Sequence, residues 1–568
     1  MDDRILRVNM ATLKVSEEPY PAEWAALGGR ALSAKILLKE VDPTCDPLGP
    51  GNKLIFAPGC LAGSTAPTSG RMSVGAKSPL TKGIKEANAG GQPGQKMMRL
   101  GYRAVIVEGQ PADPGKRYKL TITKDGVKID ECPELKGLRT YDVSAKLAAQ
   151  SGKRASFIIC GPAGEARLTG ASIALTDEDH RYPTRHAARG GLGAVMGSKG
   201  LKAVVVDDEG SNARIAKDVK GFKDLVVNMT KAYKAGPQLF ARGTSAIVPM
   251  ANMMDTFPTR NRREMQFEKA NDIDGARIIE SFETRGGGMH NCMTGCVVQC
   301  SNVVHAPDGS YKTSALEFET LALMGSNCAI GDLDAIASMD RLCDDLGLDT
   351  IETGGALAVA MDGGVLNFGD AESAIRTLEG VDKGEELSTA IANGVVYTGK
   401  KYKVARIPAV KGQGIPAWEP RTLKATGITY CTSPMGADHT AGLVVMPVMD
   451  NARASQDSQI VNAICDSSGF CQFMQPSTDE MRQYFNLMYG LNLSQEDIVN
   501  YGWQCLQDEW EFNRRAGLTE KDDAFPDWMA TEAIPTNGAV FDVPAEEIKR
   551  VYTKMELTPE LLQMRASG

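Results

Sequence analysis

Histidine is scarce in this chain. Five (His180, His186, His290, His305 and His439) occur in 568 residues, too few for a histidine-rich zinc or di-iron centre. Long apolar runs are missing as well: no stretch approaches the roughly 20 residues that span a bilayer. The polar start, Met-Asp-Asp-Arg-Ile-Leu, has neither the apolar run nor the cleavage site of a signal peptide. Excess positive charge is lacking too. The formal net charge is −8 and the pI near 5.5, which leaves no footprint for nucleic acid or anionic lipid. Nucleotide fingerprints are likewise missing. The run Arg189–Lys199 breaks the G-x-G-x-x-G spacing at Met196, follows a polar stretch where a strand is required, and is no P-loop. These absences exclude a nicotinamide site, nucleic-acid binding and a membrane anchor, and leave a cytoplasmic protein as the expectation.

Glycine and cysteine are what the chain has. Its 59 glycines cluster in short runs, where backbone can approach a large ligand closely; many tight turns in a β-rich domain is the plainer reading. Its 13 cysteines are expected to be mostly reduced thiols. The length allows several domains.

Up to residue 207 the pattern is of short strands between turns, at Lys53–Ala57, Arg71–Ala76, Ala104–Glu108, Tyr118–Lys124, Ser156–Cys160 and Lys202–Asp207, with a hairpin turn at Lys124–Gly126. An acidic, small-residue linker (Asp208–Asn212) follows. Helical periodicity then predicts helices near 217–235, 333–346, 350–362, 383–395, 478–489 and 495–513. Met481, Phe485 and Met488 form a core stripe on one of them. A second boundary falls in the Gly/Pro-rich stretch near 411–421. No solenoid period is visible.

Cys292, Cys296 and Cys300 make a C-x3-C-x3-C set. Three close thiolates suit an iron–sulfur cluster, with the fourth ligand from elsewhere: Cys465 or Cys471. Buried structural thiols are the alternative, and zinc is a weaker one because its sites favour paired C-x2–4-C units. A second pattern occurs twice: Asp344-Asp345-Leu346-Gly347-Leu348-Asp349 and Asp466-Ser467-Ser468-Gly469-Phe470-Cys471 both read D-x-x-G-apolar-x. Helix capping explains either copy alone. Two copies, one ending in a candidate cluster ligand, point to paired loops around one cofactor. Three glycine-rich segments (Ala66–Arg71, Glu86–Gly91 and Ala188–Lys199) combine free amides with arginine, a sound way to hold phosphate.

Taken in order along the chain, these segments resemble the tungsten-containing aldehyde:ferredoxin oxidoreductase family. Gly28-Gly29-Arg30, Ala66–Arg71 followed by Lys77-Ser78-Pro79-Leu80-Thr81, Cys160–Glu165, Arg189–Lys199 and Leu346–Gly354 carry the likeness. The resemblance implies an α+β fold: a β-rich pterin-binding base domain (1–207) followed by two mainly helical domains. The first (208–415) holds three cluster cysteines and one pterin loop; the second (416–568) holds the fourth cysteine and the other loop. It implies tungsten bis-molybdopterin, a [4Fe–4S] cluster and a magnesium ion bridging the pterin phosphates. Arg71, Asn88, Gly90, Gly91, Arg185, His186, Arg189, Gly190 and Gly191 would lie around the phosphates and magnesium. Asp344, Leu348 and Asp349, with Asp466 and Phe470 in the second copy, would hold the pterins. Cys292, Cys296, Cys300 and Cys471 would bind the cluster, and Glu319 and His439 would be the acid/base residues, with Glu317 a rival for the former.

Three positions depart from the family pattern. The first cysteine gap is x3 where the family has x2, so a reshaped cluster loop is expected. Ser338 stands where some members have a glutamate that binds a subunit-bridging iron, so a hetero-oligomer is expected instead. His186 replaces a small residue. The resemblance implies oxidation of an aldehyde to a carboxylate, with electrons leaving through the cluster to a ferredoxin or an iron–sulfur subunit. A benzoyl-CoA-reductase-like subunit is the alternative within the superfamily and would want a thiolate on the metal, from Cys328 or Cys431. A non-catalytic electron-relay subunit is the alternative outside it.

Overall fold

The computed structural model describes residues 3–567; Met1 and Asp2 of the polar start lie outside the described residues. The N-terminal part holds twelve strands: β1 Arg4–Asn9, β2 Lys14–Pro19, β3 Leu54–Pro58, β4 Met72–Lys77, β5 Ile84–Ala89, β6 Tyr102–Glu108, β7 Tyr118–Thr123, β8 Gly126–Glu131, β9 Ser156–Cys160, β10 Ile173–Leu175, β11 Arg185–Ala187 and β12 Leu201–Asp207. They form two six-stranded sheets, ordered β2-β1-β6-β3-β4-β5 and β11-β10-β9-β12-β7-β8. The second order, read backwards, repeats the first. Each sheet starts with a hairpin, returns a last strand parallel to the hairpin's first (β6 on β1, β12 on β7), and finishes with an antiparallel meander. Register repeats as well: Ala57–Ser73–Asn88 in one sheet corresponds to Ile159–Ala174–His186 in the other.

The inner faces share one core. Leu6, Val8, Phe56 and Val74 from the first sheet pack with Leu120, Ile122, Ile158 and Val204 from the second. Each such side chain removed from water contributes about 1.5–3 kcal/mol. Strands β5 and β11, which carry Asn88 and His186, meet at the junction of the repeats.

The rest is mainly helical. The predicted helices appear at Val219–Ala235, Leu333–Leu346, Thr350–Asp362, Thr478–Tyr489 and Gln495–Arg515, and Met481, Phe485 and Met488 are buried. The helix expected at 383–395 is two helices, Glu386–Ala392 and Val395–Lys401. Gly394 divides them with φ +91°, where a Cβ would stand 2.6 Å from Glu352 Oε1. The Gly/Pro-rich stretch at 411–421 includes a buried two-stranded turn, Ala409–Val410 with Gln413–Gly414. Among the described residues no helix is long and apolar enough to cross a membrane.

Two helices end on the sheets in matched fashion. Leu333–Leu346, capped by Asp332, stops at Gly347 (φ +74°); Asn451–Ser468, capped by Asp450, stops at Gly469 (φ +91°). Only glycine takes this left-handed cap without strain. The Ser172 N–H donates to Gly347 O at 2.9 Å, and the equivalent Arg71 N–H donates to Gly469 O at 3.0 Å. Gly161 and Gly59 allow the approach: a Cβ would lie 2.3 Å from Leu346 O and 2.1 Å from Gly469 Cα, respectively. The two D-x-x-G turns therefore dock at corresponding points of the duplicated sheets.

Candidate active site

Cys292, Cys296 and Cys300 lie between the strands Gly287–His290 and Ser301–His305. The x3 gaps are taken up by left-handed backbone at Gly295 (φ +76°) and Gln299 (φ +56°), and the Gln299 N–H donates to Cys296 Sγ at 3.4 Å. Cys471 and Cys465 both share one packed cluster of buried residues with these three, and of the two only Cys471 borders a cavity at the site. Thr68 ties the pieces together. Its N–H donates to Gly295 O at 2.9 Å, its hydroxyl accepts from the Val297 N–H at 3.0 Å, and its carbonyl accepts from the Cys471 N–H at 2.9 Å. Cys465, the rival fourth ligand, points its thiol at Phe470 O in the core.

Among the described residues no three His, Cys, Asp or Glu side chains close on a single ion. Burial pushes the Cys300 thiol well above its ordinary range and the Cys471 thiol up, while Arg71 opposes the shift at Cys471. Buried thiolates need bound cations to be stable, and this soft donor set fits an iron–sulfur cluster.

Beside the thiols lies a cavity of about 320 Å³. Arg71, Gly90, Arg185, His186, Asp344, Leu348 and Asp349 line it together with Glu319 and His439. A smaller cavity of about 100 Å³ shares Arg71 and His439 with it and adds Asn88, Asp466 and Cys471. Gly90 keeps the floor open: a Cβ there would stand 3.3 Å from Cys292 Sγ. Arg71 is oriented by Asn88, to whose side chain and carbonyl it donates. His186 bridges Ser172 Oγ (2.8 Å) and Asp344 Oδ1 (3.0 Å), while Arg30 binds Glu509 through two 2.9 Å bonds and reaches Asp466 Oδ2 at 3.5 Å. Asp344 Oδ2 stays buried without a hydrogen-bond partner. Cationic forks, an orphaned carboxylate oxygen and open glycine backbone fit a large anionic heterocycle such as a pterin phosphate.

Glu319 lies in the short helix Phe318–Thr320, and its Oε2 accepts from the Ala417 N–H at 2.7 Å. His439 sits in the turn His439–Ala441, which Asp438 caps through the Thr440 N–H. Asp438 is fixed in turn by Lys85 Nζ at 2.6 Å. Burial alone would raise the Asp438 carboxyl, but Lys85 and Arg189 outweigh it and hold it far below the usual range. Glu319 Oε1 and His439 Nδ1 lie 3.6 Å apart, both buried and without a hydrogen-bond partner. Phe318 and Trp418, ring centroids 4.9 Å apart, line the cavity beside them. Glu317 also lines it, but its carboxylate is engaged by the Thr244 hydroxyl.

Some expected residues sit elsewhere. Arg189 gives its donors to Ala437 O and Gly414 O, both at 2.6 Å, and approaches Asp349 and Glu352, so it ties three segments together behind the cavity. Gly190 and Gly191 pack on Lys85 and Thr169 beside the helix Leu192–Ser198, and Gly91 packs on Thr176 O. Phe470 is buried against Tyr484. Cys328, bonded to Leu323 O and Gly354 O, and Cys431 are core thiols that do not line the cavity. Thr68, Lys85 and Glu419 hold the site without any sequence pattern having marked those roles.

A chain that matches two acidic turns to a duplicated sheet and sets four thiols beside the space between them has the build of a cofactor-gripping oxidoreductase. The family model for the N-terminal domain of aldehyde ferredoxin oxidoreductase matches residues 5–208, and that for domains 2 and 3 matches residues 224–560. The chain belongs to this family of tungsten-containing, molybdopterin-type oxidoreductases. It is 32% identical over 571 residues to the tungsten-containing aldehyde ferredoxin oxidoreductase of Pyrococcus furiosus, with 94% of this chain and 92% of that protein covered. It is 27% identical over 545 residues to the WOR-like subunit of an aliphatic sulfonate oxidoreductase from the same organism, covering 88% and 83%. The active site complex BamBC of benzoyl coenzyme A reductase shares the fold, with a TM-score of 0.81, 19% identity and 96% and 92% coverage.

Proposed function

We propose that this chain is the catalytic subunit of an aldehyde oxidoreductase, converting aldehydes to carboxylates and passing the electrons to a ferredoxin or iron–sulfur subunit. The observation that carries the reading is the Glu319–His439 pair, two unpartnered buried polar atoms facing one cavity. Arg71, Asn88, Arg185 and His186 would hold pterin phosphates and their magnesium, Asp344, Asp349 and Asp466 the pterin rings, and Cys292, Cys296, Cys300 and Cys471 a [4Fe–4S] cluster. Bound there, tungstopterin supplies a two-electron redox centre and a carbonyl-polarising Lewis acid, and the cluster supplies a one-electron exit.

The protein's own part is acid–base and electrostatic. Glu319, anchored through Oε2, keeps Oε1 free to take a proton from water adding to the aldehyde carbon. His439 donates to the carbonyl oxygen and stabilises the charge that develops on it. Phe318 and Trp418 shield this point from bulk water.

Anaerobically purified protein is expected to carry about one tungsten and about four irons per chain. Glu319→Gln is expected to remove aldehyde turnover while metal content is kept. Unchanged turnover would take Glu319 out of the reaction; iron without tungsten or molybdenum, both having been supplied, would leave only an electron-relay subunit.

A further inference from the structure

Tyr233, Phe240 and Phe473 pack against the buried cluster that contains the four cysteines. Outside them is a surface cleft of about 230 Å³ lined by Met229, Tyr233, Leu239, Phe240, Phe473 and Met474. Phe240 and Phe473 stack at 4.3 Å, and Phe473 also lines the large cavity. These three half-buried side chains stand between the cleft and the cluster, and Tyr233 lies near enough to Cys300, Cys296 and Cys471 for their charge to act on its phenol. Leu239, 61% exposed, stands at the cleft rim.

Around this cleft the exposed charge is mainly positive; Glu480, which also lines it, is paired with Arg565. Between residues 217 and 242 the chain has Lys217, Lys220, Lys223, Lys231, Lys234 and Arg242 against only Asp218 and Asp224, in a chain whose net charge is −8. All six bases are exposed. Asp224 is paired with Lys220, and among the described residues no carboxylate pairs with Lys231, Lys234 or Arg242. The acidic total of the chain conceals this basic strip, which shows only when charge is read segment by segment.

We infer that the surface formed by the C-terminal half of helix Val219–Ala235 and the loop to Arg242 is the docking site for a small acidic iron–sulfur protein, with Leu239 seated at its centre. The inference rests on the proposed electron exit through the cysteine cluster. Opposite charge speeds encounter and fixes orientation, an effect that salt screens. A partner seated on Leu239 would meet the wall of Tyr233, Phe240 and Phe473 that packs on the cysteine cluster.

The test uses the full chain, purified anaerobically, and an acidic [4Fe–4S] ferredoxin as probe. The variant K231E/K234E/R242E is compared with K128E, which lies on β8 at the far edge of the second sheet. Ferredoxin affinity is read by titration calorimetry at several salt concentrations, and turnover is read with ferredoxin and with a small dye. The triple reversal is expected to weaken ferredoxin binding and its kcat/KM by about 10–100-fold and to flatten the salt dependence, while dye turnover and K128E stay as wild type. Unchanged ferredoxin affinity in the triple variant, or an equal loss in K128E, would overturn the inference. So would equally tight binding of a single-stranded RNA to the wild type, which would mark a general polyanion surface. Loss of dye turnover in the wild type would instead refute the aldehyde oxidoreductase reading, and the calorimetry would still decide the docking surface.

Discussion

Glutamine in place of Glu419 tests how the scaffold holds the proton acceptor. Glu419 is fully buried between two buried guanidinium groups: Arg262 donates to Oε2 at 2.8 Å and Arg421 to Oε1 at 2.7 Å. Arg262 also binds Ile415 O and Pro416 O, so the trio fixes the segment whose Ala417 N–H holds Glu319. Burial would raise the Glu419 carboxyl, but Arg421 and Arg262 prevail and lower it, so it is a full countercharge. At about 4 Å and an effective dielectric near 20, each attraction is about 4 kcal/mol, offset by desolvation. Removing the charge while both arginines stay leaves a net cost of about 3–5 kcal/mol. The amide nitrogen of glutamine would also face a donor, which worsens the fit. At about 2–4 °C per kcal/mol for a unit of 150–250 residues, Glu419→Gln should lower the melting midpoint by about 6–20 °C. Aldehyde turnover, assayed well below that midpoint, should fall by about 10–100-fold through misplacement of Glu319. A midpoint within about 2 °C of wild type and undiminished turnover would refute the reasoning that this ion cluster positions the site.

Thr68→Val removes the hydroxyl that accepts from the Val297 N–H, leaving that buried donor unpaired at a cost of about 1–3 kcal/mol; iron per chain should drop, and full iron content would show that the cysteine loop holds its shape unaided. Cys471→Ala should lose iron while Cys465→Ala keeps it, and the reverse pattern would exchange their assignments. Glu40 is half-buried; burial would raise its carboxyl, but hydrogen bonds from Arg7 and Lys53 bring it down to about 2. A carboxylate so depressed stabilises the fold above its unfolded value of about 4.3, and that contribution fades as pH falls towards about 2. The stability gap between wild type and Glu40→Gln, measured by urea midpoints, should therefore be full at about pH 6 and narrow by about pH 3; a constant gap would mean the ion pairs carry none of it.

What the sequence determined by itself is local. The C-x3-C-x3-C thiols, the two D-x-x-G turns with their left-handed glycines, the Lys124–Gly126 hairpin and the amphipathic helices around Leu333 and Met481 are each set by residues within one or two turns of chain, so pattern reveals them. The helix Asn451–Ser468 escaped because Ser455, Gln456, Ser458, Gln459 and Asn462 are polar yet buried. Their hydrogen bonds to distant groups replace the apolar stripe that periodicity looks for. Tertiary structure alone decided the rest. The duplication of the sheets lies in strand order and register, which carry no common residue pattern. The placement of Cys471 beside the cysteine loop follows from the Thr68 contact across some 400 residues of chain. The meeting of Glu319 with His439 depends on Lys85, Asp438 and the buried arginine pair around Glu419, because long-range ion pairs leave no spacing to read. They exist only once the chain has closed on itself.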